Sequence, residues 1–218
     1  VMKRVSVVIP AFNEEKDIAI VINIAKKCEY VEEIIVVDNL STDKTEEIAL
    51  KEGAKIVKCH NQGKGYAMED GMKEVKGDIV VFLDADISSY AEDVIYKLIK
   101  PIIEEDKDFV KATFERDGGR VTELVAKPLL KLLFPDFQGY SQPLSGMIAG
   151  KKEVFDKIEF EKDYGVDIGI LLDVVNMGYS TKEVMIGKLE NNSKDWKSLE
   201  KMSTEVMRAI LKRKKMIM

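Results

Sequence analysis

Two aspartates, one residue apart, follow an apolar run in the segment DIVVFLDADIS, residues 78–88. Residues 79–83 are all apolar, which is typical of a strand buried on both faces. If the extended geometry continues past this run, its period of two places Asp84 and Asp86 on the same side. Paired carboxylates repel each other unless a cation lies near them, and oxygen ligands suit Mg²⁺ or Mn²⁺. The alternative is an ordinary turn rich in aspartate.

The bulk composition excludes several classes of protein. The chain has 218 residues, of which 45% are hydrophobic and 33% charged, with a formal net charge of -5. This length allows one domain with a sizeable core, and the acidic balance argues against general nucleic-acid binding. Two cysteines without a shared motif, and no apolar run of the roughly 20 residues that cross a bilayer, predict a cytoplasmic protein. The single histidine, His60, excludes a site built on a histidine pair.

Short apolar runs alternate with amphipathic stretches along the first half of the chain. They predict strands at 5–9, 32–38, 54–59 and 78–84, and helices at 14–28, 41–53 and 65–77. This alternation indicates right-handed crossovers and a parallel sheet. Because the carboxyl ends of parallel strands meet at one edge, the polar segments after the four strands should line one crevice.

The second half of the chain is less regular. It predicts a helix at 90–103, a strand at 108–116, a helix after a Gly-Gly turn, a helix at 163–178, a strand at 180–189 and a final helix at about 195–213. We find no internal repeat and no low-complexity linker, so we expect one domain with an accessory C-terminal half.

The segment VVIPAFNEE places a proline directly after the first predicted strand. We expect Pro10 to end the strand pairing and to fix the chain's exit. Residues 11–14 could then wrap around a flat group, with Glu14 accepting hydrogen bonds. In a compatible alternative, Asn13 caps the following helix. Asp38, which ends the second strand, could accept a hydrogen bond from a nucleobase or cap the next helix.

The segment NQGKGYA, residues 61–67, places two glycines around Lys64 just before a predicted helix. It lacks the spacing of a P-loop, so we infer none. Open backbone N–H groups beside a cation are still suited to a phosphate or a nucleotide. We interpret the nearby His60 as a loop residue rather than a ligand.

Four segments in this order, VVIPAFNEE, VVDNLSTDKT, GKGYAM and VVFLDADIS, resemble the nucleotide-sugar half of GT-A glycosyltransferases. The resemblance implies an α/β, Rossmann-like fold with a mainly parallel sheet flanked by helices. It also implies that Asp84 lies near the ribose or the metal and that Asp86 ligates Mg²⁺ or Mn²⁺ on the sugar-nucleotide diphosphate. The implied nucleotide-sugar-binding residues are Pro10, Ala11, Phe12, Glu14, Asp38, Lys64 and Asp84.

Segments of the second half are similar to glucosyl-3-phosphoglycerate synthases and their mannosyl-transferring relatives: FVKATFERDGGRVTELVAKPLL, QPLSGMIAG and YGVDIGILLD. The resemblance implies that Gly119, Arg120 and Thr122 bind the phosphate and carboxylate of 3-phosphoglycerate. A Gly-Gly turn, an arginine fork and a hydroxyl at a helix start also suit an anion on physical grounds, although these residues could simply cap a solvated helix. Asp167 corresponds to an acidic residue of the family, which implies a contact with hydroxyls of the sugar or the acceptor; the alternative is a solvated helix residue. We count it as catalytic together with the two aspartates of the D-x-D pair.

Three positions depart from the family pattern, and one of them is Leu189, which stands where the family has an arginine. A metal-binding histidine that family members carry after the last core strand falls at Asn191, which could ligate the same metal less strongly through its carbonyl oxygen. Met147 stands where the family usually has glutamate. These departures leave the nucleotide half intact and bear on the sugar and the acceptor.

We therefore expect one domain over residues 2–218, with a nucleotide-sugar-binding half at 2–90 and an acceptor-binding half with the C-terminal helix at 91–218. The expected activity is metal-dependent transfer of a hexose from a UDP- or GDP-sugar to a small phosphorylated acceptor such as 3-phosphoglycerate. The resemblance implies retention at the anomeric carbon.

Two alternatives remain open at this point. One is a polyprenyl phosphate acceptor, for which the basic tail RAILKRKKMIM could touch anionic lipid, although a basic helix end is more often solvated. The other is a sugar-nucleotide-binding protein without turnover. The sequence does not specify the oligomeric state, and a homodimer is one option.

Overall fold

The computed structural model describes residues 3–115, 119–135, 137, 139–190 and 195–217. Within these ranges seven strands form one sheet in the order β3-β2-β1-β4-β6-β5-β7. The strands are β1 Val5–Ala11, β2 Val31–Asp38, β3 Lys55–Lys58, β4 Ile79–Phe82, β5 Phe109–Glu115, β6 Ile148–Lys151 and β7 Thr181–Lys188. The helices are α1 Ile18–Ala25, α2 Thr45–Lys51, α3 Lys64–Met72, α4 Val94–Glu104, α5 Lys127–Leu133, α6 Lys152–Phe155, α7 Val166–Asn176 and α8 Trp196–Arg213. A π-helical segment, Thr122–Ala126, leads directly into α5.

Strands β3, β2, β1 and β4 pair in parallel, as their alternation with helices predicts. Helices cover both faces of the sheet, which is why the strands are apolar on both faces. In β1, for example, Val7 and Ile9 lie in one hydrophobic core, whereas Val8 lies in the core on the opposite face. The expected α/β class, with a mainly parallel sheet flanked by helices, is confirmed.

Strand β6 and the short helix α6 that follows it were not predicted. β6 lies antiparallel between β4 and β5, with Ile148 opposite Phe82. Its four residues include Gly150, where a Cβ would lie 2.8 Å from the ring of Phe155, so the apolar pattern is broken by a packing requirement. Because β6 runs antiparallel, its first residue lies at the edge where the parallel strands end. The turn that precedes β6 therefore lies at that edge as well.

The expectation that Pro10 ends the first strand is wrong, because β1 continues through Pro10 to Ala11. Pairing with β4 stops at Val8, whereas pairing with β2 extends to Ala11 opposite Asp38. Pro10 therefore lies where only one neighbouring strand remains, and its missing N–H is tolerated there.

The C-terminal helix α8 packs against α7 and against the π-helical segment, with Val206, Ala209 and Ile210 buried. In the described part of the chain no helix combines the length and the apolar composition that a membrane crossing requires. Strand β4 of the first half pairs with β6 of the second, so the sheet continues across both halves. The division of the chain near residue 90 stays a prediction.

Candidate active site

The D-x-D pair lies just beyond the carboxyl end of β4. The strand ends at Phe82, and Ala85 and Asp86 form a turn, so the extended geometry that would place Asp84 and Asp86 on the same side does not continue. The hydroxyl of Tyr90 closes this loop, since it accepts a hydrogen bond from the N–H of Asp84 and donates one to its carbonyl, both at 3.1 Å. Burial raises the pKa of the Tyr90 phenol well above its usual value, and the two aspartates raise it further. The loop presents Asp84 partly buried and Asp86 exposed.

Lys64 connects Asp84 with Asp167. Its Nζ lies 2.8 Å from Asp84 Oδ1 and 2.8 Å from Asp167 Oδ2. Burial by itself lowers the pKa of the Lys64 ammonium, but the charges of Asp167 and Asp84 outweigh this effect and raise the pKa above its ordinary value. Asp167 Oδ1 is buried and accepts no hydrogen bond from any described residue. Three predicted site residues from distant parts of the chain are thus in direct contact.

The two glycines beside Lys64 fit a close approach of another backbone segment. A Cβ on Gly63 or Gly65 would collide with the carbonyl groups of residues 161–162. The sequence predicted open N–H groups in this loop. The N–H of Gly63 instead donates to Asn39 Oδ1 at 2.9 Å, so it is not open to a phosphate. The loop is held between residues 161–162 and Asn39, and this arrangement fixes the backbone from which Lys64 reaches the aspartates.

The turn before β6 brings Gly146 against the same cluster. A Cβ at this position would lie 2.7 Å from Asp84 Oδ2, and closer still to Asp84 Oδ1 and to Lys64 Nζ. The next residue, Met147, is only 1% exposed and belongs to the apolar core. The methionine that replaces the family's glutamate is therefore a packing residue in this chain.

Lys111 on β5 is the functional candidate that sequence reasoning missed. Its side chain is fully buried, and Nζ donates to the carbonyl of Ser145 at 2.8 Å and to that of Asp167 at 3.2 Å. Burial lowers the pKa of Lys111 to about 8, a shift that Asp167 opposes and that the charge of Lys64 reinforces. The available signal was a lysine in the interior of an otherwise apolar strand, FVKATFE. Lys111 holds together the Gly146 turn and the first turn of α7.

The loops after β1 and β2 are joined by reciprocal hydrogen bonds. Asn13 has a φ of 56°, accepts from the N–H of Thr42 at 2.8 Å and donates its own N–H to Ser41 Oγ at 3.0 Å. Asn13 therefore forms its hydrogen bonds with the loop after β2. The expectation that it caps α1 is wrong. The N–H of Glu14 similarly donates to Thr45 Oγ1 at 2.8 Å. These bonds join the two loops into one wall at the edge of the sheet where the parallel strands end.

Five of the predicted nucleotide-sugar-binding residues lie at the ends of β1 and β2 or in the loops that follow them: Pro10, Ala11, Phe12, Glu14 and Asp38. Asp38 is buried, and its Oδ1 accepts from the N–H of Ser41 at 3.1 Å. It does not cap α2, which begins at Thr45. Two apolar side chains on the wall stay exposed, Phe12 at 45% and Leu40 at 46%. A buried carboxylate beside exposed apolar side chains is suited to a flat, polar ring.

The predicted acceptor residues begin the helix that follows β5. Gly119 has a φ of 89°, Arg120 is exposed and Thr122 is buried. The helix widens into its π-helical segment ahead of Pro128, which has no N–H to donate to the preceding turn. Of the three predicted residues, Gly119 and Arg120 are the ones open to solvent.

The predicted metal ligand Asn191 lies outside the described residues. The residue before it, Glu190, donates its N–H to Ser89 Oγ at 2.9 Å, so the chain after β7 runs beside the D-x-D loop. Across the described ranges no group of three or more His, Cys, Asp or Glu side chains is placed to hold a metal. Asp84 and Asp86 offer oxygen donors only, a set that fits Mg²⁺ or Mn²⁺ with further ligands from a diphosphate.

This arrangement, an α/β sheet with carboxylates and a lysine at the carboxyl ends of its strands, is that of enzymes that bind sugar nucleotides. The sequence comparison agrees. Residues 6–158 match the model of glycosyl transferase family 2, and the chain belongs to that family of enzymes.

Within this family, the chain is similar to glucosyl-3-phosphoglycerate synthases. It is 33% identical to that enzyme from Petrotoga mobilis, with 96% of this chain and 73% of the relative covered. It is 34% identical to that from Mycolicibacterium smegmatis, with 97% and 78% covered. The Mycobacterium tuberculosis enzyme, solved with Mn²⁺, UDP-glucose and phosphoglyceric acid, superposes with a TM-score of 0.93 at 35% identity, with 98% of this chain and 80% of that chain covered. The resemblance and the GT-A fold that the sequence indicates are confirmed.

Proposed function

We propose that this protein transfers glucose from UDP-glucose to 3-phosphoglycerate with the help of Mg²⁺ or Mn²⁺. The observation that carries the proposal is the contact of Lys64 with both Asp84 and Asp167, at 2.8 Å each, at the crevice edge of the sheet. Relatives that share most of their length with this chain are glucosyl-3-phosphoglycerate synthases, and a structure with UDP-glucose and phosphoglyceric acid superposes closely. These relatives favour UDP over GDP as the nucleotide.

The wall formed by the loops after β1 and β2 would bind the nucleoside. Asp38 would accept a hydrogen bond from the base, because its carboxylate is buried beside exposed apolar side chains. The base would lie against the loop that carries Phe12. The residues assigned to the nucleotide sugar are Pro10, Ala11, Phe12, Glu14, Asp38, Lys64 and Asp84.

Asp84 and Asp86 would hold the divalent ion together with the donor's diphosphate, with Asn191 as a further ligand. The ion would offset the charge that develops on the leaving nucleoside diphosphate. Lys64 would add a fixed positive charge at the same place, since its ammonium already contacts Asp84. An ammonium held by two carboxylates needs no reorganisation before it meets a phosphate oxygen.

Asp167 would orient a hydroxyl of the sugar or the acceptor. Its Oδ1 is buried without a described partner, and a buried acceptor of this kind is stabilised when a ligand hydroxyl donates to it. Gly119, Arg120 and Thr122 would bind the phosphate and carboxylate of the acceptor, with the exposed guanidinium of Arg120 as the main cation. We further propose retention at the anomeric carbon, which NMR of the product would test.

The test is release of UDP from UDP-glucose with Mn²⁺, in the presence and absence of 3-phosphoglycerate. We expect release that depends on both the acceptor and the metal. Asp86→Asn should lower turnover at least about 100-fold, because the negatively charged ligand of the metal is replaced by a neutral and weaker one. Glu47→Gln makes the same change of charge on the exposed face of α2 and should leave turnover unchanged.

Two outcomes would overturn the proposal. Binding of UDP-glucose without release under any acceptor would indicate a sugar-nucleotide-binding protein. Release only with a polyprenyl phosphate would indicate a membrane-lipid acceptor. Unchanged turnover in Asp86→Asn would reject the metal assignment while leaving the acceptor assignment in place.

A further inference from the structure

Trp196 is the single tryptophan of the chain and the first residue of α8. It is 74% exposed, an unusual position for so large an apolar ring. Its ring faces the guanidinium of Arg120, whose Cζ lies 5.0 Å from the ring centroid. This distance is within the range of a cation–π interaction, and arginine stacks on aromatic faces with its donors free at the edge of the plane.

No carboxylate of the described residues balances the charge of Arg120. Within the described ranges no acidic side chain lies at ion-pair distance from its guanidinium, and the nearby Glu123 is paired with Lys127 instead. A cation held on an aromatic ring, without an anion, keeps its hydrogen-bond donors available to an anionic ligand. Trp196 thus restricts the orientation of the guanidinium without neutralising it.

Both residues follow strands that end at the crevice. Arg120 follows β5 and Trp196 follows β7, and these two strands pair in parallel. The N–H of Leu189 donates to the carbonyl of Glu115 at 2.9 Å, which keeps the two strand ends together. Asp195 caps α8 by accepting from the N–H of Ser198 at 2.8 Å, and this fixes the backbone at Trp196.

We propose that Trp196 is a positioning residue of the acceptor site, the aromatic platform that holds the Arg120 guanidinium for the phosphate or carboxylate of the acceptor. This inference rests on the proposed function, in which Arg120 binds the acceptor anion. When an anion binds Arg120, the interaction of its guanidinium with the Trp196 ring changes. The emission of Trp196 therefore reports acceptor binding directly.

The first experiment is a fluorescence titration of the full chain with 3-phosphoglycerate, for which the single tryptophan gives one signal. We expect a saturable change in emission, and no change in Arg120→Met. An unchanged emission at acceptor concentrations that saturate turnover would overturn the proposal. The titration needs no turnover, so it tests the pairing independently of the donor reaction.

The second experiment compares kinetic constants. Trp196→Ala should raise the KM for 3-phosphoglycerate roughly two- to fivefold, as expected for an exposed cation–π pair, with the KM for UDP-glucose unchanged. Trp196→Phe should restore most of the acceptor affinity. The control is Leu124→Ala, because Leu124 is equally exposed, at 73%, on the same helix as Arg120.

An acceptor KM that is the same in Trp196→Ala and the wild type would reject the role of Trp196 while the proposed function stands. Absence of 3-phosphoglycerate-dependent release in the wild type, together with an unresponsive emission, would reject both. The two failures are therefore distinguishable.

Discussion

Lys64 Nζ and Asp167 Oδ2 lie 2.8 Å apart, although 103 residues separate them in the chain. Lys64 begins α3, and Asp167 lies in the first turn of α7. Both side chains are largely removed from water, with 16% and 7% of their surfaces exposed. In such a setting each ion stabilises the other, and removal of one partner leaves a buried charge without compensation.

Replacement of Lys64 by methionine should therefore affect stability and donor binding together. We expect Lys64→Met to lower the free energy of unfolding by about 3 kcal/mol, which urea denaturation would measure. The KM for UDP-glucose should rise at least about tenfold, because a charged group opposite the diphosphate is lost.

A double variant separates these two effects. Adding Asp167→Asn to Lys64→Met should recover part of the lost stability, since one of the two carboxylates left without a partner loses its charge, but none of the donor affinity. A Lys64→Met variant with the wild-type KM for UDP-glucose would contradict the role of Lys64 in donor binding.

Catalysis should depend on the absence of a side chain at Gly146, which leaves room for Lys64 and Asp84. A side chain at this position would displace Lys64 and Asp84 from their present contact. We expect Gly146→Ala to lower kcat by about 100-fold, because displacement of catalytic groups by an ångström has effects of this size. Steady-state kinetics would measure it.

Gly53 provides the opposite control. It has a φ of 77° and open space around it, so Gly53→Ala should reduce stability through backbone strain and leave kcat unchanged. Equal kcat values for the wild type and Gly146→Ala would show that the turn before β6 has no part in the reaction.

The stability of the protein should depend on pH through Lys111. Its ordinary pKa of 10.5 falls to about 8 in the folded chain. Between these values the unfolded chain binds more protons, so the contribution of Lys111 to stability rises with pH through this window. The charged groups that act on its ammonium are Asp167, Lys64, Asp84 and Glu183.

Denaturation of the wild type and Lys111→Met at a series of pH values would test this. From pH 8 to pH 10.5 the wild type should gain about 3 kcal/mol relative to the variant. Two curves that run parallel across this range would show that the ammonium is not held at a low pKa.

Arg213 should anchor the C-terminal helix. Its guanidinium donates to both oxygens of Asp173, at 2.8 and 2.6 Å, and to Glu161 at 2.8 Å, with only 9% of the side chain exposed. We expect Arg213→Met to lower the free energy of unfolding by about 3–5 kcal/mol, because two carboxylates lose their shared partner.

The matched control is Arg208→Met on the same helix. Arg208 pairs with Asp163 at 3.3 Å, but 54% of its side chain is exposed, so the loss should stay below about 1 kcal/mol. Equal losses in both variants would indicate that burial of the Arg213 cluster contributes nothing to stability.

The parallel half of the sheet and the polar loops at its edge could be predicted from the sequence alone. The signals there are short-range, since an apolar run, a following polar loop and an amphipathic helix can each be read within about 15 residues. The segments around Asp38, Lys64 and Asp84 carried the family resemblance for the same reason. The last strand and helix were also predicted within one residue of their observed ends, because β7 and α8 have clear local patterns.

The contacts among these residues could not be predicted in this way and are visible in the folded chain alone. The contact of Lys64 with Asp167, the buried ammonium of Lys111 and the stacking of Arg120 on Trp196 all join segments far apart in the chain. The antiparallel strand β6 was also not predictable from the local pattern. Packing against Phe155 requires Gly150, and this glycine interrupts the apolar run that would have indicated a strand. Local propensity does not contain these contacts. They form because burial brings distant side chains together, and each buried charge is then stabilised by the partner it meets.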